Sequence, residues 1–230
     1  THAMTVSVNA LLERAGAKTA LVTTAGFRDV LEIGRQDRPD LYDLSATRPD
    51  PLVPRRRRFE IPERATPDGV TEQVDEAAVR DVAAQIRDCD AESVAVSLLH
   101  AYAAPENERR VVEILDDELD VPVSASHEVL AEFREYERTS TTVVDAYVTP
   151  KIDSYLGRLT REAVDAGLPE PLVMQANGGI ADVDTVREHA VTTSMSGPAA
   201  GVVGARAAAG SVTEDRSLRG LVTFDMGGTS

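Results

Sequence analysis

Asp225, Gly227, Gly228, Thr229 and Ser230 are the residues whose types and spacing could do chemistry. A carboxylate ahead of two glycines and two hydroxyls places a negative group beside a backbone that can turn sharply and aim its N–H groups at an anion. The carboxylate would repel that anion unless a divalent cation lay between them, so the combination points to a magnesium nucleotide. The same residues also suit an ordinary hairpin turn, and both readings stand at this level. The preceding Leu221-Val222-Thr223-Phe224 are apolar or β-branched and read as a buried strand ending at Asp225. The sequence stops at Ser230, inside this signal, so a truncated chain is expected.

A loop of this kind needs a strand-and-helix frame, and the chain alternates the two signals. Val8 to Glu13 reads as helix, Thr19 to Thr23 as strand, and Phe27 to Ile33 as helix again. Prolines and aspartates from Asp37 to Pro54 predict an irregular excursion. Asp68-Gly69 is a turn signal, and Asp75 is a candidate cap for a helix with Val79, Val82, Ala83 and Ile86 on one face. Ser93 to Leu99 is a near-continuous apolar run, as for a strand covered on both faces. Pro105 suits the first turn of a helix through Val111, Leu115 and Leu119, and Pro122 to Ser126 is a further strand. Glu132 to Arg138 and Ser140 to Val148 read as helix, broken or restarted at Pro150, with an apolar stripe continuing to Gly167. The fold class is therefore α/β, a mixed or largely parallel sheet flanked by helices.

Two further glycine signals follow. Asn177-Gly178-Gly179 comes directly after a strand read over Leu172 to Gln175, where open α/β sheets place ligands, although an Asn-Gly pair also makes a plain turn. Ser196-Gly197-Pro198 can start a helix that Gly210 ends, with Gly197, Gly201 and Gly204 on one side, where another element can approach the backbone. Helix packing explains that stripe, and a helix N-terminus facing phosphate is the other reading. The chain has no P-loop signature, no G-x-G-x-x-G and no G-x-S-x-G. His2, His100, His127 and His189 lack metal-ligand spacing.

Composition bounds the partners. A net charge of −15 argues against nucleic acid and anionic membranes. Lysine occurs only at Lys18 and Lys151, a pattern that salt adaptation and biased base composition both produce. The basic block Arg55 to Arg58 leads into Phe59-Glu60-Ile61 and reads as an edge strand with charged flanks. With 42% hydrophobic and 4% aromatic residues, the 230-residue chain suits an aliphatic core in one large domain or two small ones. No apolar run is long enough to cross a bilayer, and Ala10-Leu11-Leu12 run into Glu13 and Arg14, so no secretory leader is expected. Cys89 is the only cysteine, which leaves no internal disulfide and makes a cytoplasmic setting the expectation.

Six stretches then carry a family resemblance: TVSVNALLER (from Thr5), TALVTTAGFRDVLEIGRQDRP (from Thr19), EFREYERTSTTVVDAY (from Glu132), MQANGGI (from Met174), SGPAAGVVGA (from Ser196) and FDMGGTS (from Phe224). In this order they are similar to the hydantoinase A/5-oxoprolinase family. The resemblance implies a partial actin-like ATPase (ribonuclease H-like) architecture, in which two D-x-G-G-T-like loops hold ATP. Only the second loop is here, at Asp225 to Ser230; the first would lie upstream of Thr1 and the adenosine segment downstream of Ser230. The domains implied are residues 1–190, an N-terminal hydantoinase A/oxoprolinase domain, and 191–230, the start of an ATPase domain. Where the family has His-Gly-Thr-Thr, this chain has His2-Ala3-Met4-Thr5.

The activity implied is ATP-dependent hydrolysis of a cyclic amide, of 5-oxoproline or hydantoin type, by phosphorylation of the amide oxygen and ring opening. On this resemblance Asp225 and Thr229 are catalytic, and Asp225 holds Mg²⁺ through water. Gly227, Gly228, Thr229 and Ser230 bind the ATP phosphates. Arg138, Thr139, Ser140, Asn177 and Gly178 are substrate-cleft candidates, although the polar run from Arg134 to Thr142 also reads as a salt-bridged helix end capped by Thr139 or Ser140. A hydantoinase B-type subunit or fused domain is the implied partner, with no nucleic acid and no membrane. Two alternatives stay open: the ATP-using subunit of an acetone-type ketone carboxylase, and a catalytically silent fragment or assembly subunit. The piece by itself is expected to be inactive.

Overall fold

The computed structural model describes residues 1–212 and 220–226. The chain divides into two compact units, one of Thr1–Gly16 with Lys151–Ser230 and one of Ala17–Pro150. Helix α1 (Val6–Leu12) belongs to the first.

The second unit opens on β1 (Thr19–Thr24), the single turn α2 (Val30–Ile33), β2 (Arg58–Ile61) and a hairpin of β3 (Arg64–Thr66) and β4 (Gly69–Glu72). It continues through α3 (Glu76–Asp88), β5 (Ser93–Ser97), α4 (Glu106–Glu118), β6 (Val123–Ala125) and α5 (Ser126–Val129) to the long α6 (Glu135–Asp165), whose residues from Lys151 onward belong to the first unit. Four strands form one parallel sheet in the order β2-β1-β5-β6. Every residue of β1 and β5 is buried, as the continuous apolar run requires of strands covered on both faces. Alternation divides them between two cores. Ala20, Val22, Val94 and Val96 pack against the expected stripe of α3 (Val79, Val82, Ala83, Ile86) and against Val111, Ile114 and Leu115 of α4. Leu21 and Ala95 face the other way, onto Val53 and onto Val143 and Ala146 of α6. Buried hydroxyls in these strands are satisfied, Thr23 Oγ1 donating to the Ser97 carbonyl at 2.9 Å. Asp75 caps α3, accepting from the Ala77 N–H at 2.9 Å.

In the first unit β7 (Val173–Met174) and β8 (Ile180–Ala181) form a short antiparallel hairpin. His2 joins it alongside Val173, donating its N–H to the Leu172 carbonyl (2.7 Å) and accepting from the Met174 N–H (2.8 Å). Then come α7 (Val183–Glu188), whose cap Asp182 accepts from the Thr185 N–H, a 3₁₀ turn at Ala190–Thr193, and α8 (Ser196–Val212).

Four expectations are corrected. Pro150 does not break α6, which is one helix from Glu135 to Asp165. An interior proline costs about 3 kcal/mol, and the buried Val143, Ala146, Tyr147, Val148, Ile152 and Leu156 on both sides of it outweigh that cost. Leu221–Phe224 is not a strand: no described strand pairs with it, and Val222 and Phe224 stand 95% and 84% exposed. β-propensity records a fit to neighbouring strands, and here there is none to fit. The helix expected from Phe27 shrinks to the turn Val30–Ile33, because Phe27 closes a turn on Thr24 instead. Within the basic block only Arg58 enters the edge strand, while Arg55–Arg57 form a 3₁₀ turn. Among the described residues no helix is long and apolar enough to cross a membrane.

Candidate functional site

The first unit collects three of the sequence signals around α8. The turn Asn177-Gly178-Gly179 joins β7 to β8; the Asn177 Oδ1 accepts from the Gly179 N–H at 2.8 Å, and Gly178 N–H donates to the Gln175 carbonyl at 3.0 Å. Gly178 sits at φ +83°, where a side chain would be strained, and a Cβ there would lie 3.5 Å from Val203 of α8. Ser196, at the start of α8, is buried and holds both backbone groups of Met4, donating to its carbonyl (2.9 Å) and accepting from its N–H (3.3 Å). Ser7 and Thr193 add a buried hydroxyl pair at 2.5 Å. The segment from His2 to Ser7 is thereby pinned to the first turn of α8, a role that sequence reasoning did not find; the Ser-Gly-Pro start of the helix was the available signal.

Asp225 approaches the same helix. It is exposed, and its Oδ2 lies 4.0 Å from where a Cβ on Gly201 would stand. Of the glycine stripe, Gly197 is approached by Thr5 (3.5 Å) and Gly201 by Asp225, while a Cβ on Gly204 would meet nothing within 4 Å among the described residues. Gly227, Gly228, Thr229 and Ser230 lie outside the described residues. Among the described residues no group of three or more His, Cys, Asp or Glu side chains could hold a metal. Magnesium bound through one carboxylate, water and phosphate oxygens requires no such group, so the single exposed carboxylate of Asp225 fits it.

His2 carries a pH dependence. Its Nε2 lies 2.8 Å from the Tyr155 hydroxyl, and burial holds the ring below its ordinary value of 6.5. A depressed histidine binds fewer protons folded than unfolded, so its stabilisation is complete above 6.5 and is lost as pH falls toward the folded value. An NMR titration of the ring should therefore give a midpoint below 6.5, and the protection factor of the Met174 amide, its exchange relative to an unstructured amide at the same pH, should fall on acidification. A midpoint above that value would contradict the burial.

In the second unit, the polar run leading into α6 is built inward. Arg138 is 0% exposed. Its Nη2 donates to the Leu98 carbonyl (2.7 Å) and pairs with Glu135, its Nε donates to Ser126 (3.1 Å), and its guanidinium lies 5.4 Å from the Tyr102 ring centroid. Ser126 in turn donates to Glu108, a buried carboxylate that also accepts from the Leu98 and His127 N–H groups. Thr139 is buried, with its hydroxyl 2.8 Å from that of Ser97. Neither Thr139 nor Ser140 caps the helix, which starts at Glu135, and Glu137 pairs with Arg35. Sequence reasoning missed Glu108, whose charge would be costly in the core without these donors.

Of the substrate-cleft candidates in this run, Ser140 lines open space. With Tyr136 and Val143 it forms one wall of a cavity of about 910 Å³, and the facing wall is the Asp37–Pro54 excursion together with Leu31. That excursion follows β1, the strand at which the sheet order reverses, where parallel sheets commonly take ligands. A long unstructured loop was the sequence signal for such a wall.

The sequence and the fold both resemble those of known proteins. Residues 1–119 match the family described as hydantoinase/oxoprolinase N-terminal region, and residues 138–230 match hydantoinase/oxoprolinase. The chain is 37% identical to caprolactamase subunit alpha of Pseudomonas jessenii, over 98% of this chain and 33% of that protein. It is 35% identical to 5-oxoprolinase 1 of Arabidopsis thaliana, over 98% of this chain and 19% of that protein. The crystal structure of an ATP-dependent caprolactamase from Pseudomonas jessenii superposes with a TM-score of 0.82 at 35% identity, covering 92% of this chain and 32% of that one. A nucleotide-free acetone carboxylase gives 0.79 at 30% identity, covering 91% and 31%. The chain thus spans about a third or less of the length of these relatives. Matched in turn by both family regions and built on an α/β frame with a parallel sheet, this chain belongs to the hydantoinase/oxoprolinase family.

Proposed function

We propose that this chain is the phosphate-gripping part of an ATP-dependent cyclic amidohydrolase. The observation that carries the reading is the approach of Asp225 to Gly201 of α8, in the unit that also presents the Asn177-Gly178-Gly179 turn. ATP supplies the phosphoryl group that turns a resistant amide into one that water can open, with Mg²⁺ offsetting the phosphate charge. Asp225 orients the cation through water, and the backbone N–H groups of Gly227, Gly228 and Thr229, with the hydroxyls of Thr229 and Ser230, bind phosphate oxygens. Such donors are fixed before reaction and act where charge develops. Asn177 and Gly178 offer a second backbone turn to the substrate. The second reading, a ketone-carboxylase subunit, is favoured by the likeness to acetone carboxylase. A hydantoinase B-type subunit or domain and a cytoplasmic setting complete the proposal.

A coupled ATPase assay on the complete gene product, with 5-oxoproline, hydantoins and acetone in turn, tests it. ATP hydrolysis is expected to depend on a cyclic amide and to stop on chelation of magnesium. Stimulation by acetone with bicarbonate alone would establish the second reading, and no stimulation by any of them would leave a silent assembly piece.

A further inference from the structure

The cavity of the second unit holds polar groups in two different states. Its charges are already matched within the chain: Arg35 donates to Glu137 (2.6 Å), Arg48 to Asp37 (2.6 Å) and to the Ile33 carbonyl (2.8 Å), and Glu32 accepts from Arg58 (2.9 Å). Asp50, too, has an interaction within the chain. Its hydroxyls are not matched: those of Thr47, Tyr136 and Ser140 make no hydrogen bond among the described residues. Tyr136, Ser140 and Val143 fall at helical spacing on α6, so two free hydroxyls and an apolar branch share one face. Leu31 and Leu52 add apolar surface. A charged guest would have to break an ion pair or sit against a like charge, whereas a neutral one meets hydroxyl donors and acceptors at no such cost. The volume of about 910 Å³ lies in the range of pockets that enclose drug-sized molecules.

We propose that this cavity binds an uncharged ring compound, apolar on its faces and with one hydrogen-bonding edge held by Tyr136 and Ser140, and that it rejects rings bearing a carboxylate. Resting on the function proposed above, the class of guest is a neutral hydantoin or lactam with an apolar substituent rather than 5-oxoproline.

Calorimetric titration of the complete gene product without ATP, using 5-benzylhydantoin, hydantoin-5-acetic acid and 5-oxoproline, separates the classes. The benzyl compound is expected to bind roughly tenfold or more tightly than either acid. Ser140→Ala should weaken it about fivefold, and Ala46→Trp, which fills the wall, should remove it while circular dichroism stays native. Equal or tighter binding of an acid, no binding of the benzyl compound, or binding indifferent to both substitutions would overturn the assignment. Selective binding without ring-dependent ATP hydrolysis would keep the cavity's role and refute the amidohydrolase instead.

Discussion

Replacing Asp225 by alanine in the complete gene product is expected to lower ATP turnover several hundredfold while leaving the fold intact. Asp225 is exposed and stands beside Gly201 of α8, so its removal opens no core. Its proposed work is electrostatic: without the carboxylate, the cation that offsets the phosphate charge loses its protein anchor. Losing one preorganised group of this kind costs about 3 kcal/mol, a factor of several hundred. Asp225→Asn keeps the shape without the charge and should fall nearly as far. Steady-state ATPase rates, measured alongside thermal unfolding, decide it. Turnover within a few-fold of the wild type in Asp225→Ala would refute the assignment.

Arg138→Ala should act in the opposite manner, through stability. The guanidinium is fully buried and joins the Leu98 carbonyl, Ser126 and Glu135, and through Ser126 it reaches Glu108. Cutting away one side of a buried charged network leaves the other side desolvated, a loss of about 3–5 kcal/mol. Arg138→Lys restores the charge but not the planar fork that bonds several partners at once, so only part of the loss should return. Urea denaturation reads both. A normal unfolding midpoint with a raised KM for the ring would move Arg138 out of the core and into the substrate cleft.

The frame was legible where one physical requirement dominates the residue pattern. The apolar run Ser93 to Leu99 read as a strand covered on both sides, which the structure forms over Ser93–Ser97, and Val79, Val82, Ala83 and Ile86 read as one helix face, which α3 buries. Asp75 and Asp68-Gly69 gave the cap and the turn, because both effects are local. What failed depended on distant partners. Pro150 carries a local penalty that burial along α6 overrides, and Leu221–Phe224 carries a local preference that no neighbouring strand rewards. The candidate site divided in the same way. Asn177-Gly178 formed the turn its residues dictate. By contrast, the pinning of Met4 by Ser196, the burial of Arg138 and the cavity behind Ser140 arise from residues far apart in sequence, which no periodicity records.

Met4 and Ser196 are 192 positions apart, and the unit they close is interrupted by the whole of Ala17–Pro150, which is itself continuous. A ribosome therefore releases everything the middle unit needs before it releases the partners of the opening segment. Ala17–Pro150 can mature cotranslationally, whereas Thr1–Gly16 must wait, unclosed, until α8 has been synthesised. The closure of Thr1–Gly16 onto its own unit is then a late step of biogenesis, later than the folding of the continuous middle unit.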